Sequence, residues 1–572
     1  MLIAGINDGH NASVVLLQDG RIVFAWQEER FTRRKNQPGF PIHALLAGLE
    51  FIGAELNQVD VFAVASRRPV TMPGTSEEDV TGYSRRDGSL VRRLRSVIRG
   101  TPLAGPVYSF RQLRRAAHIE SLGIPRERTR FYDHHLCHAA TAFWGSGRTL
   151  DRTLVITNDG AGDGLCGSVY IGENGKLRRV STIPEADSIG IIYTTTTVLL
   201  GMSPNEHEYK VMGLAPYGAG RQAEAMRREL LTWVHTDGPA RLTYERSAST
   251  SSFFGCYRRL AKLFECQRFD HVAAAVQQFL EEVLVRWVTN CVQATGIPHV
   301  MLSGGVFMNV KANQRILELP CVQSLYVVPS CGDETNAFGA AFLAHAEASN
   351  EGPESLGSLY YGPTLEDAAV EEAIRGLGGA GDLHISTPPD MTQAVAKLLT
   401  EGQIVARVCG REEFGARALG NRSILADPSL PDVVPTINRA IKQRDFWMPF
   451  ACSILAEEEA RYIRNPKAMP APYMIVTFDC TESWPQIVAG IHPHDHTVRP
   501  QVVRREANPE YHRLLSTFRE LTGRGAVLNT SYNLHGEPLV SSARDAVDVF
   551  TRSGLRWLAL GNRLLAKTQP AT

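Results

Sequence analysis

Two stretches of the chain share one order of apolar runs and turn residues. Residues 2–30 predict an apolar strand, a loop at Asp8-Gly9-His10, a second strand, an Asp-Gly turn and a third strand. Residues 153–183 repeat this order, with an Asp-Gly loop at Asp159 and a later Asn-Gly turn. Both turn types suit tight hairpins because Asp, Asn and Gly tolerate positive φ. The repetition predicts a duplicated α/β domain whose halves each begin with an antiparallel meander and present an Asp-Gly loop to a shared cleft.

A third pattern follows the duplication. Residues 299–319 predict an apolar strand, a turn that contains Gly304 and Gly305, and then a helix. Such glycines let backbone N–H groups approach a phosphate or ribose, although a plain tight turn is the simpler interpretation. Asp333 lies at a later turn, before an Ala/Gly-rich helix that could pack closely. With the duplication, this order resembles the actin/sugar-kinase/Hsp70 superfamily, which implies that ATP phosphates bind between the two loops.

The composition changes near residues 349–364, where Gly, Pro and Ser are frequent. A chain of 572 residues also exceeds what one hydrophobic core usually organises. We therefore predict a domain boundary in this stretch. A duplicated, actin/sugar-kinase-like (ASKHA) domain would occupy residues 1–350, and an independent α/β domain would occupy residues 351–572.

The composition argues against several classes of protein. Lys and Arg together number 60, as do Asp and Glu, so the net charge of zero gives no field that would attract nucleic acid or an anionic membrane. The 10 cysteines include no CxxC pair, which disfavours a zinc ribbon or a disulfide framework and favours a reducing compartment. The chain begins with a strand pattern rather than a signal peptide, and no apolar run has the length of a membrane span. We expect a cytoplasmic protein without nucleic-acid or membrane partners.

Residues 85–130 depart from this balance, because they carry many arginines and few acids. Solvated helix faces are the simpler interpretation, and we favour it. A docking surface for an anionic acceptor is the alternative.

A candidate metal site lies in the HHLCHAATAFWG segment. Asp133 is a helix N-cap, and the helix is predicted to end at Gly145. His134 and His138 are four positions apart, so they share one helix face and can bind one ion. His135 points elsewhere or pairs with His138 at a spacing of three. A structural role remains the alternative for histidines at this spacing.

Nearby carboxylates favour the metal interpretation. Asp159 and Asp333 lie in predicted loops from which each can reach the same cleft. Two imidazoles and two carboxylates with open positions favour a six-coordinate ion such as Fe(II) or Mn(II) over a closed tetrahedral zinc site. Such an ion would polarise a carbonyl or hold a phosphate.

Several longer segments make a resemblance specific. The sequence resembles the NodU/CmcH carbamoyltransferase family nearly from end to end. The matching segments are GHNAS (9–13), EERFTRRK (28–35), HHLCHAA (134–140), EYKVMGLAPYG (208–218), LSGG (302–305), GREEFGARALGNRSILADP (410–428), IKQRDFWMPFA (441–451), TVRPQVV (497–503) and LNTSYNLHGEP (528–538).

This resemblance implies a fold, a reaction and a ligand set. A YrdC-like C-terminal domain would form carbamoyl-adenylate from carbamoyl phosphate and ATP with Mg²⁺, and the N-terminal metal cleft would pass the carbamoyl group to a hydroxyl of a small-molecule acceptor. Family acceptors include antibiotics and lipo-oligosaccharide signals. The resemblance implies Fe(II) or another divalent ion as the metal. The positions that match the family's metal ligands are His134, His138, Asp159 and Asp333, and Asp163 is an alternative to Asp159.

The C-terminal half supplies the cations that such chemistry needs. ATP and carbamoyl phosphate bring at least about five negative charges into one pocket. Lys442 and Arg444 are two positions apart and converge only if the segment is extended. Ser531 and Asn533 project together from the end of an apolar strand as donors to phosphate or carbonyl oxygens. The full predicted set is Arg411, Arg417, Arg422, Lys442, Arg444, Arg499, Ser531 and Asn533.

Transfer to a hydroxyl needs a group that takes its proton. His10, in the first loop, and Glu208 are the candidates, and both can instead be residues that shape the cleft. Lys210 is a candidate for neutralising the adenylate phosphate, with a surface salt bridge as the equal alternative.

Three other functions fit parts of the pattern. A small-molecule kinase of the sugar-kinase class explains the duplication but leaves the arginine-rich second domain without a purpose. A tRNA threonylcarbamoyl-modifying enzyme explains both folds, whereas the zero net charge argues against a tRNA substrate. A binding protein without catalysis is disfavoured by the intact metal and cation residues. A homodimer remains an option.

Overall fold

The computed structural model describes residues 1–68, 104–236, 242–250, 253–349, 351–377 and 383–568. The chain forms two compact units. The first consists of Met1–Glu29, Asn36–Met308 and Glu318–Leu356, and the second of Arg30–Lys35, Asn309–Leu317 and Gly357–Thr572. The main division lies inside the predicted boundary stretch. The two short segments that join the second unit were not predicted.

The first unit contains two five-stranded sheets with the same strand order. The first sheet has the order β3-β2-β1-β4-β5, and the second has β8-β7-β6-β11-β12. In each sheet the central strand pairs antiparallel with the strand that follows it and parallel with a later one. The predicted duplication is therefore confirmed. The strands of this unit are β1 (Leu2–Asn7), β2 (Ser13–Gln18), β3 (Arg21–Gln27), β4 (Val61–Ala65), β5 (Thr129–Tyr132), β6 (Thr153–Gly162), β7 (Leu165–Glu173), β8 (Lys176–Pro184), β9 (Val234–His235), β10 (Glu245–Arg246), β11 (His299–Ser303) and β12 (Ser324–Val327).

Helices cover the two sheets of the first unit. The longest, α9, ends at Gly296, whose φ of 66° closes the helix in the left-handed conformation. The helices are α1 (Glu28–Thr32, which extends into the second unit), α2 (Ile42–Ile52), α3 (Ala104–Ser121), α4 (His134–Gly145), α5 (Ile189–Leu199), α6 (Glu208–Leu214), α7 (Arg221–Leu231), α8 (Phe253–Leu263) and α9 (Phe269–Thr295), and, after α10 of the second unit, α11 (Asn336–Ala348). Residues 85–103 of the arginine-rich stretch lie outside the described ranges.

Helix α11 brings the two halves of the first unit into close contact. A Cβ on Gly5 of β1 would lie 2.0 Å from the carbonyl oxygen of Ala337, and one on Gly339 would lie 1.9 Å from that of Cys137 in α4. The close packing expected of this Ala/Gly-rich helix is therefore confirmed. Because α11 follows Asp333 directly, its contact with α4 places that carboxylate beside the histidines.

The second unit is built on one mixed sheet of eight strands, in the order β13-β22-β21-β14-β15-β20-β16-β19. Apolar side chains on both faces are buried: Ile424 and Ala426 of β15 join a core with α12, α14 and α17, whereas Leu425 joins a core with α13 and α16. The strands are β13 (Leu383–Ser386), β14 (Val405–Val408), β15 (Arg422–Ala426), β16 (Ala451–Leu455), β17 (Phe478–Asp479), β18 (Thr497–Val498), β19 (Gln501–Val503), β20 (Ala526–Ser531), β21 (Trp557–Leu560) and β22 (Arg563–Lys567). The helices are α10 (Val310–Leu317), α12 (Asp367–Arg375), α13 (Met391–Thr400), α14 (Val433–Ile437), α15 (Glu459–Tyr462), α16 (Pro509–Thr522) and α17 (Ala543–Arg552).

Among the described residues, no helix combines the length and the apolar character that crossing a membrane requires.

Candidate functional site

Four predicted ligands converge in the first unit. One donor atom from each of His134, His138, Asp159 and Asp333 lies within 4.8 Å of all the others. Nε2 of His134 and Nε2 of His138 each lie 3.2 Å from Oδ2 of Asp159, and 3.5 and 3.4 Å from Oδ1 of Asp333. We call this set the metal cluster. Its two imidazole nitrogens and two carboxylates are ligands typical of a divalent transition metal.

Helix α4 places both histidines on one face. The side chain of Asp133 accepts a hydrogen bond from the backbone N–H of Leu136, so the helix begins at His134 as predicted. It also ends at Gly145, as predicted. His135 points away from the cluster, and its Nδ1 lies 2.9 Å from the hydroxyl of Thr157.

Neutral side chains hold the rings of the two ligands. Nδ1 of His134 lies 2.9 Å from the hydroxyl of Ser66, and Nδ1 of His138 lies 3.2 Å from that of Ser303. A hydrogen bond at one ring nitrogen fixes the tautomer and directs the other nitrogen at a metal. The amide of Asn336 lies 3.2 Å from Nε2 of His138. None of these three residues was predicted from the sequence as a partner of the histidines, although Ser303 lies in the LSGG segment.

The electrostatics of the metal cluster favour a cation. Burial by itself would lower the pKa of His134, but the carboxylates of Asp333 and Asp159 outweigh it and raise that pKa to about 9. The pKa of Asp159 is lowered well below its usual range, because the hydrogen bonds to both imidazoles outweigh the opposing effect of burial. Positive charge is therefore stabilised at this point, and a bound cation would supply it.

Two glycines leave room for the cluster. A Cβ on Gly162 would lie 2.1 Å from the ring of His134, and a Cβ on Gly305 would lie 2.8 Å from Oδ1 of Asp159. Gly304 has a φ of 106°, and a Cβ there would lie 2.3 Å from the carbonyl oxygen of Asn158. The residues therefore fit a metal ion. Gly304 and Gly305 contact the Asp159 segment, and their predicted role in nucleotide binding stays a prediction.

Asp163, the rival of Asp159, has another role. Its carboxylate accepts hydrogen bonds from the backbone N–H groups of His134, Arg67 and Arg68, at 2.6 to 2.8 Å. It thus holds the start of α4. Asp159, expected in a loop, instead lies within β6, where the pairing with β7 is irregular after Asn158.

His10 adjoins the metal cluster from the first meander. Its Nδ1 lies 3.3 Å from Oδ2 of Asp333, and its side chain is 34% exposed. A ring that contacts a candidate ligand and also reaches solvent can meet an incoming hydroxyl. The neighbouring Asp8 is paired with Arg115, whose Nε donates to its Oδ2 at 2.7 Å.

Arg115 changes the interpretation of the arginine-rich stretch. This side chain is buried, and it also donates to the carbonyl oxygen of Ser66 at 2.6 Å. Neither a solvated helix face nor a docking surface describes it. Through Asp8 and Ser66 it supports the segments that carry His10 and the partner of His134.

Glu208 and Lys210 lie on α6, a short helix apart from the metal ligands. Burial raises the pKa of Glu208, whose carboxylate accepts a hydrogen bond from the backbone N–H of Asn205 at 2.9 Å. A raised pKa suits a group that exchanges a proton near neutral pH. The side chain of Lys210 is half-buried. The catalytic roles of both residues stay predictions.

A second group of polar residues meets at the end of β20. Nζ of Lys442 donates to Oδ1 of Asn533 at 2.8 Å and lies 3.1 Å from the hydroxyl of Ser531. That hydroxyl in turn donates to Oδ1 of Asn533 at 2.6 Å. The predicted convergence of Lys442 with Ser531 and Asn533 is thus present. With Arg417, Arg444 and Arg499, these residues form what we call the cation cluster.

The backbone that leads to Lys442 is helical and not extended. Residues Asn438–Lys442 form a π-helical turn, and Gln443 then adopts a φ of 47°. A left-handed residue other than glycine is uncommon, and π-turns are frequent at functional sites. Lys442 therefore lies at the end of a helical turn, and the extended segment that we made the condition for its convergence with Arg444 is not present there.

The cations of this cluster oppose one another. Burial lowers the pKa of Lys442 well below its usual range, and the charges of Arg444 and Lys35 lower it further. Burial likewise lowers the pKa of Arg499, with Arg417 and Arg444 adding to the effect. An anion bound among them would reverse these effects. The metal cluster and the cation cluster therefore favour ligands of opposite charge.

Two models of one protein family match this chain. The family model "Carbamoyltransferase N-terminus" matches residues 2–342, more than half of the chain. The chain belongs to the carbamoyltransferase family. The model "Carbamoyltransferase C-terminus" matches residues 396–567. The protein is accordingly an enzyme that transfers carbamoyl groups.

Relatives of this carbamoyltransferase include nodulation proteins, as expected of the NodU/CmcH family. Nodulation protein NolNO of Sinorhizobium fredii is 32% identical over 98% of this chain and 79% of that protein. Nodulation protein NolO of Bradyrhizobium diazoefficiens is 34% identical over 77% of this chain and 79% of that protein.

Several solved structures resemble the carbamoyltransferase at low sequence identity. They include component A of (R)-2-hydroxyglutaryl-CoA dehydratase from Acidaminococcus fermentans, with 13% identity, a TM-score of 0.35 and coverage of 61% of this chain and 99% of that chain. The ROK hexokinase from Thermus thermophilus has 14% identity, a TM-score of 0.29 and coverage of 61% and 100%. Scores this low support no inference, so the duplicated α/β fold rests on the two matching sheets.

Two arginines predicted as ligand-binding residues of the carbamoyltransferase contact its own backbone. The guanidinium of Arg422 is 1% exposed and donates to the carbonyl oxygens of Cys409, Asn421 and Ser541 at 2.6 to 3.1 Å. In the structure Arg422 thus supports the loop, and its predicted role in ligand binding stays a prediction. Arg411 donates to the carbonyl oxygen of Tyr361 at 2.7 Å, and its binding role stays a prediction.

Proposed function

We propose that this carbamoyltransferase forms carbamoyl-adenylate from carbamoyl phosphate and ATP in its second unit. The carbamoyl group would then pass to a hydroxyl of a small-molecule acceptor at the metal cluster. The observation that supports the proposal is the burial of Lys442 and Arg499 beside Arg444: burial lowers the pKa of both groups, and the charge of Arg444 lowers it further. Cations held close together against their own repulsion are what a polyphosphate and a carbamoyl phosphate require.

The first reaction exchanges one mixed anhydride for another. Water cleaves the phosphoryl group from carbamoyl phosphate and leaves carbamate and orthophosphate. An oxygen of carbamate then attacks the α-phosphorus of ATP, the bond to the bridging oxygen breaks, and pyrophosphate leaves. Lys442, Arg444 and Arg499 would hold the phosphate oxygens on which negative charge develops. Ser531 and Asn533 would orient the carbamoyl group by hydrogen bonds.

The second reaction is an acyl transfer. The acceptor oxygen attacks the carbamoyl carbon, the bond from that carbon to the adenylate oxygen breaks, and AMP leaves. His10 is the better placed of the two candidates to take the hydroxyl proton, because it is 34% exposed and contacts Asp333. Glu208, with its raised pKa, is the second candidate.

His134, His138, Asp159 and Asp333 would hold Fe(II) or another divalent metal. When bound, such an ion polarises a carbonyl or holds a phosphate, whereas ATP in the first reaction is taken with Mg²⁺. We further propose that the enzyme acts in the cytoplasm on a small natural product, such as an antibiotic, or a sugar, without nucleic-acid partners.

Pyrophosphate release without acceptor tests the first reaction. Purified protein with ATP, Mg²⁺ and carbamoyl phosphate is expected to release pyrophosphate, and an Arg444→Ala variant is expected to release almost none. Replacing Lys397, an exposed lysine of α13, by Met is a control that should not change the rate. Release of ADP and orthophosphate in place of pyrophosphate would point to a kinase and overturn the proposal.

A further inference from the structure

A short segment from near the start of the chain is part of the second unit. Residues Arg30–Lys35 follow the first meander in sequence, yet they belong with Gly357–Thr572. We propose that Arg30 and Arg33 act as a clamp that positions the two loops of the cation cluster, one carrying Arg417 and the other Asn533. Their role in catalysis rests on the proposed function, whereas their role in anion binding does not.

Arg30 holds the loop that carries Arg417. Its side chain is buried, and its Nη2 donates to the carbonyl oxygen of Gly415 at 2.6 Å. Gly415 has a φ of 100°, so the loop turns sharply two residues before Arg417. The position of the Arg417 guanidinium therefore depends on a turn that Arg30 fixes.

A buried carboxylate also holds the side chain of Arg30 in place. Nε of Arg30 lies 3.4 Å from Oε1 of Glu412, which is fully buried. Burial raises the pKa of Glu412, and the charges of Arg30 and Arg422 oppose that rise. The hydroxyl of Ser541 donates to the other oxygen of Glu412. The guanidinium of Arg30 thus contacts both the carboxylate of Glu412 and the carbonyl oxygen of Gly415.

Arg33 holds the loop that carries Asn533. Its Nη1 donates to the carbonyl oxygen of Leu539 at 2.7 Å, and its Nη2 donates to that of Pro538 at 3.0 Å. The amide of Asn533 donates to the carbonyl oxygen of Glu537 at 2.9 Å, so Asn533 is tied to the same loop. Asn533 then contacts Lys442 through its other amide atom.

The chemistry of the clamp requires arginine. A guanidinium presents several N–H donors in a rigid plane, so one side chain can hold two successive carbonyl oxygens, whereas an ammonium is a point charge. Lys35, two residues further, also lowers the pKa of Lys442 by its charge. The segment therefore adjoins the cation cluster as well as its two loops.

Anion binding by the full-length protein tests the clamp. We would compare wild type, Arg33→Gln and Arg33→Lys by the affinity for inorganic pyrophosphate in calorimetry, by the melting temperature, and by KM and kcat for acceptor-free pyrophosphate release. Arg34→Gln is the matched control, because Arg34 is an exposed arginine of the same segment. Arg30→Lys tests the contact of Arg30 with Gly415, because this variant keeps a positive charge beside Glu412.

The clamp predicts a defined pattern. Arg33→Gln should bind pyrophosphate about 10-fold to 100-fold more weakly, with a higher KM for carbamoyl phosphate and a melting temperature close to that of wild type. Arg33→Lys should bind pyrophosphate almost as weakly as Arg33→Gln, because a lysine ammonium cannot bridge the two carbonyl oxygens as a guanidinium does. Millimolar methylguanidinium should partly restore binding to an Arg33→Ala variant.

Other outcomes separate the inference from the proposed function. Wild-type affinity and kinetics in Arg33→Gln and Arg30→Lys would overturn the clamp. A loss that Arg34→Gln shares, or one that follows a lowered melting temperature and is fully restored by Arg33→Lys, would also overturn it. If wild type released no pyrophosphate, the proposed function would fail, and the affinities for inorganic pyrophosphate would still decide the clamp.

Discussion

The metal cluster and the cation cluster differ in the sign of the charge that their surroundings favour. In the first, carboxylates surround imidazoles and raise the pKa of His134 to about 9. In the second, burial lowers the pKa of Lys442 and of Arg499, and neighbouring guanidinium groups lower it further. Each cluster would become more stable with a ligand that the other repels. The direction of the pKa shifts therefore indicates which charge each cluster favours in a ligand.

The largest effect on activity is expected when one candidate metal ligand is replaced, because this change should stop carbamoyl transfer without affecting the cation cluster. Asp159→Asn takes away the carboxylate that lies 3.2 Å from both imidazoles. Transfer to an acceptor should fall by about 1,000-fold or more. Acceptor-free pyrophosphate release should stay within about twofold of wild type. Both are measured on the same preparation, with Asp151→Asn, an exposed carboxylate, as the control. Parallel loss of both activities would contradict the separation.

The converse variant removes the central cation of the second cluster. Lys442→Met takes away the ammonium that joins Ser531 to Asn533, and pyrophosphate release should fall by about 100-fold. Binding of Mn²⁺ to the metal cluster, followed by calorimetry, should not change. A variant that retained pyrophosphate release would show that the cation cluster is not the site of adenylate formation.

An intermediate effect is expected from a residue that supports a metal ligand. Ser66→Ala removes the hydroxyl that lies 2.9 Å from Nδ1 of His134. The affinity for a divalent metal should fall by about 10-fold, because the ring loses the partner that fixes its tautomer. Saturating metal should restore most of the transfer rate, which distinguishes Ser66 from a ligand. An exposed serine, Ser249, offers the matched control as Ser249→Ala.

The smallest expected effect concerns stability at alkaline pH. The folded protein holds the pKa of Lys442 below the value of about 10.4 that the unfolded chain has. Between these two pKa values the unfolded chain binds a proton that the folded protein lacks, so the unfolding free energy should rise as the pH increases. Lys442→Met should flatten that rise in denaturant titrations. Excess pyrophosphate, which favours the charged ammonium, should also flatten it in wild type.

Much of the fold could be predicted because periodic patterns and turn residues carry it. The two meanders, the helix from His134 to Gly145 and the turn at Asp333 all follow from local signals that agree with the global fold. The four members of the metal cluster were predicted from histidines four positions apart, the Asp-Gly loop at Asp159 and the turn at Asp333, together with what the family resemblance implies, and the structure brings them together.

The remainder depended on conformations and partners that local patterns do not encode. The π-helical turn of Asn438–Lys442 and the left-handed φ of Gln443 are uncommon backbone conformations, which no hydrophobic periodicity predicts. Ser66 and Asn336 contact the histidines across long sequence separations. Arg422 resembled a ligand-binding cation in sequence, and only the structure shows that backbone carbonyls take its donors. Polar contacts between distant residues are thus the part that escaped prediction.

The early position of Arg30 in the chain has a consequence during synthesis. Arg30 leaves the ribosome 385 residues before Gly415, the residue to which it donates in the finished protein. At about 5 to 20 residues per second, this interval lasts roughly 20 to 80 s. During that time the first meander can fold, while its adjoining arginines await a partner that has not yet been translated. The nascent chain must therefore keep a basic, solvated stretch accessible until the C-terminal half emerges.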